Sequence, residues 1–148
     1  MSIRATDLWF QKVFPEPKDE NFQVQLGCHF EELGEMLENL IGQDKVSETA
    51  IRQFEEDVKF IATAFKTRNI QAMVMPLNRE GFLDALVDQV VTATGCAHLQ
   101  AMDLPAALDR VNQSNYTKFD ENGDPIFDIN GKIKKGPNYK QPDLSGLY

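Results

Sequence analysis

His29-Phe30-Glu31-Glu32-Leu33-Gly34-Glu35-Met36-Leu37-Glu38 is the stretch whose reading decides the fold. It reads as the middle of a helix, with Phe30, Leu33 and Leu37 as its apolar positions. At about 100° per residue, Glu31, Glu35 and Glu38 fall in a narrow sector, with Glu32 about a quarter-turn away. Like charges one turn apart destabilise a helix, so compensating charge is expected. A second acidic pair, Asp84 and Asp88, interrupts Phe82-Leu83-Asp84-Ala85-Leu86-Val87-Asp88-Gln89-Val90-Val91. A carboxylate in an apolar helix is costly unless it is paired or binds a metal, and at least one aspartate is expected to point inward. The two clusters are therefore expected to face each other and share hard divalent cations. Taken alone, the four glutamates also have the pattern of a solvated helix face.

Outward from these stretches the chain reads as helices. Leu8, Trp9, Phe10 and Val13 predict a short amphipathic helix over Ala5–Val13, broken by Phe14-Pro15-Glu16-Pro17. The acidic helix starts at Asp19–Asn21 and ends at Gly42. A third opens at Ser47 and carries Phe54, Val58, Ile61 and Phe65 at helical spacing. A fourth spans about Arg79–Met102. A fifth runs from Pro105, favourable in a first turn, to about Tyr116. After Phe119 the pattern changes. Asn130-Gly131 lies between Pro125-Ile126-Phe127-Asp128-Ile129 and Lys132-Ile133-Lys134-Lys135, a strong hairpin signal. The expected fold is an all-α bundle of four to five helices in one domain, residues 1–148. Within it, 120–148 form a small β-hairpin and an extended tail.

The 148 residues suit one core. A net charge of −8 argues against a nucleic-acid-binding surface. Bound cations would reverse the local sign and admit a nucleotide. There is no membrane-spanning run and no signal-peptide pattern. Cys28 and Cys96 read as reduced thiols of a cytoplasmic protein, with a single disulfide as the alternative. An all-carboxylate ligand set suits Mg²⁺ or Mn²⁺. The Glu-x-x-His repeats of di-iron bundles are absent. Cys28-His29 and Cys96-x-His98 lack zinc-site spacing. Asp120-x-Asn122-x-Asp124 opens like a calcium loop, but Pro125 and Gly131 stand at its sixth and twelfth positions, so it is a turn.

Together these motifs resemble the all-α nucleoside triphosphate pyrophosphatases, the group of MazG-like enzymes, dimeric dUTPases and phosphoribosyl-ATP pyrophosphatase. Glu31-Glu32-x-x-Glu35 resembles the first acidic motif, and Asp84-Ala85-Leu86-Val87-Asp88 with Gly95 the second. Ser114-Asn115-x-x-Lys118 and Lys135-Gly136-Pro137-Asn138-Tyr139-x-x-Pro142-Asp143-Leu144 resemble a C-terminal signature of the phosphoribosyl-ATP pyrophosphatase-like subgroup. Ala85 stands where the usual second motif has glutamate, and Asp84 is the expected substitute.

The resemblance implies metal-dependent hydrolysis of a nucleoside or deoxynucleoside triphosphate to monophosphate and pyrophosphate. It implies assembly as a homodimer or homotetramer. Glu31, Glu32, Glu35, Asp84 and Asp88 are the expected metal ligands, with Mg²⁺ first and Mn²⁺ second. Glu32, or else Glu31, is the expected base for the attacking water. Asn112, Asn115, Lys118, Lys135, Tyr139 and Trp9 are the expected substrate contacts, though packing competes for Trp9. Two alternatives stand beside this reading. One is a base-specific form, dUTPase-like or purine-specific. The other is a non-catalytic acidic interaction protein on the same fold.

Overall fold

The computed structural model describes residues 2–148. Five α-helices and one 3₁₀ turn occur among the described residues: α1 (Ser2–Val13), α2 (Asp19–Glu38), α3 (Lys45–Lys66), the turn Pro76–Asn78, α4 (Arg79–Leu99) and α5 (Leu104–Tyr116). The chain divides into two compact units. One holds Glu16–Ala72 and Phe127–Lys132; the other holds the N-terminal segment to Pro15, Met73–Ile126 and Ile133–Tyr148. No helix among the described residues is long and apolar enough to cross a membrane.

The first unit is an antiparallel hairpin of α2 and α3. Asn21 Oδ1 accepts from the Lys18 N–H at 2.7 Å, and Asp19 and Glu20 place negative charge on the first turn of α2. α3 is capped by Asp44, whose carboxylate accepts from the Ser47 N–H at 2.7 Å, so the helix begins at Lys45, two residues before the expected opening at Ser47. Arg52 reaches back from α3 and donates to the Leu37 and Leu40 carbonyls at 2.9 and 2.6 Å. The end of α2 is thereby closed by a side chain of the next helix.

Val24, Leu37, Val58, Ala62 and Phe65 are buried in this unit, and the Phe30 and Phe65 rings stack at 6.0 Å. The helices approach closely at two glycines. A Cβ on Gly27 would lie 2.7 Å from Lys66 Cγ and 2.8 Å from the Ala62 carbonyl oxygen. One on Gly34 would lie 3.3 Å from Lys59 Cγ. The buried Gln23 amide pins the chain beyond α3, donating to the Ala72 carbonyl at 2.8 Å and accepting its N–H at 2.9 Å.

The second unit packs α1 against α5. Its core is Trp9, Val13 and Phe119, flanked by Phe10, Phe14 and Ile133. Thr6 Oγ1 donates to Asn112 Oδ1 at 2.9 Å across these helices. The tail, with turns at Pro137-Asn138 and Ser145-Gly146, is held to α5. Ser114 Oγ donates to the Lys140 carbonyl at 2.6 Å, the Lys140 N–H donates to Thr117 Oγ1 at 2.8 Å, and Arg110 donates to the Asp143 carbonyl at 2.7 Å.

Two expectations are corrected. The C-terminal β-hairpin is not formed as strands. Asp128 donates its N–H to the Lys132 carbonyl at 2.8 Å, and its carboxylate accepts from the Asn130 and Lys132 N–H groups at 2.8 and 2.9 Å. The Lys134 N–H reaches the Ile126 carbonyl at 2.7 Å. Only isolated bridge positions occur, at Phe127 and Ile133. The chain reverses at Asn130-Gly131 as predicted, but side-chain closure by Asp128 replaces a ladder, and so short a ribbon has little stability of its own. The second correction concerns α4. Neither Asp84 nor Asp88 points inward: no described residue of α4 is buried, and Leu83, Val87, Val90 and Val91 are exposed with them. Among the described helices of its unit, α4 packs against the 3₁₀ turn and α5, and these contacts leave its apolar side chains uncovered.

The close approach at Gly27 makes a stability prediction. Gly27→Ala should destabilise the chain by about 1–3 kcal/mol, because the neighbouring backbone cannot yield. Gly81→Ala in α4 meets nothing within 4 Å and should be neutral or stabilising by up to about 1 kcal/mol. Urea unfolding of both variants measures the contrast, and equal midpoints would contradict it.

Candidate functional site

The acidic face of α2 meets a basic stripe on α3. Glu31 accepts from Lys66 Nζ at 2.5 Å, and Glu38 from Lys59 Nζ at 2.5 Å. Lys59 also reaches Glu55 at 2.5 Å, and Glu55 pairs with Arg52. Glu31 and Glu38 are seven residues apart, as are Arg52, Lys59 and Lys66, so the two helices match charges at two-turn intervals. This supplies the compensation that the i,i+4 glutamates require.

Glu31 is the centre of this arrangement. Its second oxygen accepts from Lys132 Nζ at 2.6 Å, so one carboxylate holds two ammonium groups. The side chains are largely sheltered: Glu31 is 28% exposed, Lys66 21% and Lys132 38%. Burial pushes the Glu31 carboxyl up, but the hydrogen bonds and charges of Lys132 and Lys66 outweigh it and hold the group below the usual glutamate range. Burial alone would lower Lys132; its hydrogen bond to Glu31 and the neighbouring charges of Glu31 and Glu32 raise it. The Cys28 thiol, one turn before Glu31, is pushed up by burial, partly offset by Lys132. It is therefore a protonated neighbour, not an activated nucleophile.

Local structure aims both lysines. The stem of Lys66 lies over Gly27, where any side chain would displace it. Lys132 follows the turn that Asp128 closes.

The other expected ligands are divided between the two units. Glu32 and Glu35 are exposed on α2, while Asp84 and Asp88 are exposed on α4 of the other unit. A hard divalent cation needs several oxygen donors at one point. Among the described residues, no group of three or more His, Cys, Asp or Glu side chains is placed to hold one. Both oxygens of Glu31 are already engaged by lysine. In this arrangement the donor set does not fit a cation.

Trp9 is core, 4% exposed, stacked on Phe119 at 6.3 Å and edge-on to Phe10 at 5.0 Å. Asn112 is buried and bonded to Thr6. Asn115 is half-buried on α5. Lys118 Nζ lies 5.6 Å from the Trp9 ring, and the exposed Lys135 lies 4.8 Å from that of Tyr139. A cleft of about 490 Å³ lies along the tail, lined by Arg110, Gln113, Ser114, Thr117 and Lys140 among others. Arg110 and Ser114 are committed there to holding tail carbonyls, so its lining is largely clamp.

Sequence reasoning missed Lys66 and placed Lys132 only in the second run of the expected hairpin. Their partner lies 35 and 101 residues away, beyond any local periodicity. No family model matches the chain, and neither a curated protein nor a solved structure matches it.

The Glu31 ion pairs predict a pH dependence. A carboxyl held low in the folded chain contributes stability above its unfolded pKa of about 4.3, and that contribution is lost as pH falls through the folded value. Between about pH 6 and about pH 3 the melting temperature should fall further for the wild type than for Glu31→Gln. Equal slopes would show that the paired lysines contribute nothing.

Proposed function

We propose that the chain hydrolyses a nucleoside or deoxynucleoside triphosphate to the monophosphate and pyrophosphate, with Mg²⁺ or Mn²⁺ as cofactor. The observation that carries this reading is the meeting of Lys66 and Lys132 on Glu31, the first glutamate of the acidic motif. A triphosphate needs positive charge at its oxygens, and a chain of net charge −8 offers it at few defined points. Two aimed ammonium groups beside an acidic helix face are such a point. Glu32, exposed next to them, is the proposed base for the attacking water. The cation requirement rests on the acidic motifs themselves, Glu31-Glu32-x-x-Glu35 and Asp84 with Asp88. Lys118, Lys135 and Tyr139 of the C-terminal signature are the proposed cover for the substrate.

Assembly belongs to the same proposal. α4 exposes Leu83, Val87, Val90, Val91 and Leu99 over 21 residues. Exposed apolar side chains at this density on one helix are normally covered, and a second copy of the chain is the proposed cover, in a homodimer or homotetramer.

Pyrophosphate release from a panel of nucleoside triphosphates, with Mg²⁺, Mn²⁺ or chelator, tests the activity. Release with either cation and none in chelator is expected; no release from any nucleotide would overturn the reading. Glu35→Ala and Asp88→Ala should each lower turnover by at least about a hundredfold while the circular dichroism stays helical. Full turnover in Asp88→Ala would remove the second motif from the site. A native mass of one chain at micromolar concentration would remove the assembly.

A further inference from the structure

The C-terminal segment is held to α5 by its main chain. Arg110 Nη1 donates to the Asp143 and Ser145 carbonyls at 2.7 and 3.1 Å. Ser114 Oγ donates to the Lys140 carbonyl at 2.6 Å, and Thr117 Oγ1 accepts the Lys140 N–H at 2.8 Å. At the start of α5 the Asp103 N–H donates to the Leu147 carbonyl at 2.9 Å. Arg110, Ser114 and Thr117 share one helix face, at i, i+4 and i+7. The tail passes them in reverse order, from Thr117 and Ser114 to Arg110 and Asp103. All of these bonds end on the tail's backbone. Its side chains take little part: Gln141, Asp143, Leu144 and Ser145 are exposed, and the Asp143 carboxylate accepts from the Ser145 N–H of the tail itself at 2.9 Å. Pro142 and Leu147 are half-buried, and no residue from Lys140 onward is fully buried. A cleft of about 490 Å³ lies between this segment and α5, so the two surfaces do not close on each other. Bonds to backbone carbonyl and N–H groups give affinity without reading sequence, and a segment held in this way exchanges for another that offers the same backbone.

We propose that the α5 face of Arg110, Ser114 and Thr117 is a peptide-docking groove that reads main chain, with residues 140–147 as its displaceable occupant. The partner that fits is the same segment of a second copy of the chain, because that segment is the one already seated there. Docking of this kind needs neither nucleotide nor cation and stands apart from the hydrolase reading. The tethered tail competes at the high effective concentration of an intramolecular segment. Docking in trans is therefore strong where the chain's own tail is weakened.

A fluorescent peptide of residues 138–148, titrated with the full chain and followed by anisotropy, tests this. Lys140→Pro in the chain removes the N–H that Thr117 accepts and leaves the α5 groove unchanged. Gly146→Ala weakens the other end of the tail, because Gly146 has a φ of 76° that a side chain disfavours. Each variant should bind the wild-type peptide at least about tenfold more tightly than the wild-type chain does. Adding Arg110→Met to either variant should weaken that binding at least about tenfold. A peptide carrying Gln141→Ala, Asp143→Ala and Leu144→Ala should bind within about threefold of the wild-type sequence. No gain in a folded Lys140→Pro chain, or a gain that Arg110→Met leaves intact, would overturn the proposal. If Lys140→Pro does not fold, Gly146→Ala in the exposed tail decides in its place. A loss of more than about tenfold with the alanine peptide would overturn the reading of main chain.

Discussion

The close approach of α2 and α3 at Gly27 and Gly34 is the constraint on which the first unit depends. Without side chains at these positions, the helices come near enough for Lys66 and Lys59 to lie flat across α2. Their ammonium groups then reach Glu31 and Glu38 one turn further on. The same register brings Arg52 to the last carbonyls of α2. Steric fit, helix closure and charge matching thus share a two-turn repeat. The charge pairs by themselves contribute modestly, since Lys59 and Glu38 are both about half exposed. Their value lies in specificity: a slip of one turn would leave like charges adjacent on α2 and break all three contacts together.

The helices were legible because their signals are local. Apolar spacing located all five, and the Pro-rich and Gly-containing breaks located their ends to within a few residues. The missed details had competing local chemistry. α3 begins at Lys45, ahead of Ser47, because the Asp44 carboxylate caps it by reaching the Ser47 N–H. Asn130-Gly131 does reverse the chain, but Asp128 uses its side chain on two backbone donors that a ladder would not have needed. A hairpin signal specifies the turn; strands need further rungs and a surface to pack on.

The candidate site was legible by halves. The acidic run on α2 is visible as a pattern within one helix, so its crowding and need for compensation could be read directly. Which groups compensate could not. Lys66 and Lys132 have no feature in sequence that singles them out from the other lysines, and their pairing with Glu31 exists only through the fold. The aromatic and amide candidates have other partners in the fold. Trp9 and Asn112 were visible as residue types suited to substrate contact; in the fold Trp9 packs in the core and Asn112 takes a helix–helix hydrogen bond. Residue type announces what a side chain can do, whereas its neighbours decide which of those things it does.

α4 extends the same reasoning to assembly. It holds three valines, two threonines and two glycines in 21 residues, a composition that favours helix weakly. At about 31 Å it is long, but an isolated helix of such residues is marginal in water. Its contacts with α5 and the 3₁₀ turn leave every described residue at least partly exposed. An apolar helix of low intrinsic propensity gains its stability from burial, and burying it would also desolvate Asp84 and Asp88. Two carboxylates one turn apart repel each other more strongly as solvent leaves. Covering α4 therefore raises the demand for positive charge beside those aspartates. In the proposed assembly, subunit contact and cation binding at the second acidic motif are for that reason coupled demands of one helix.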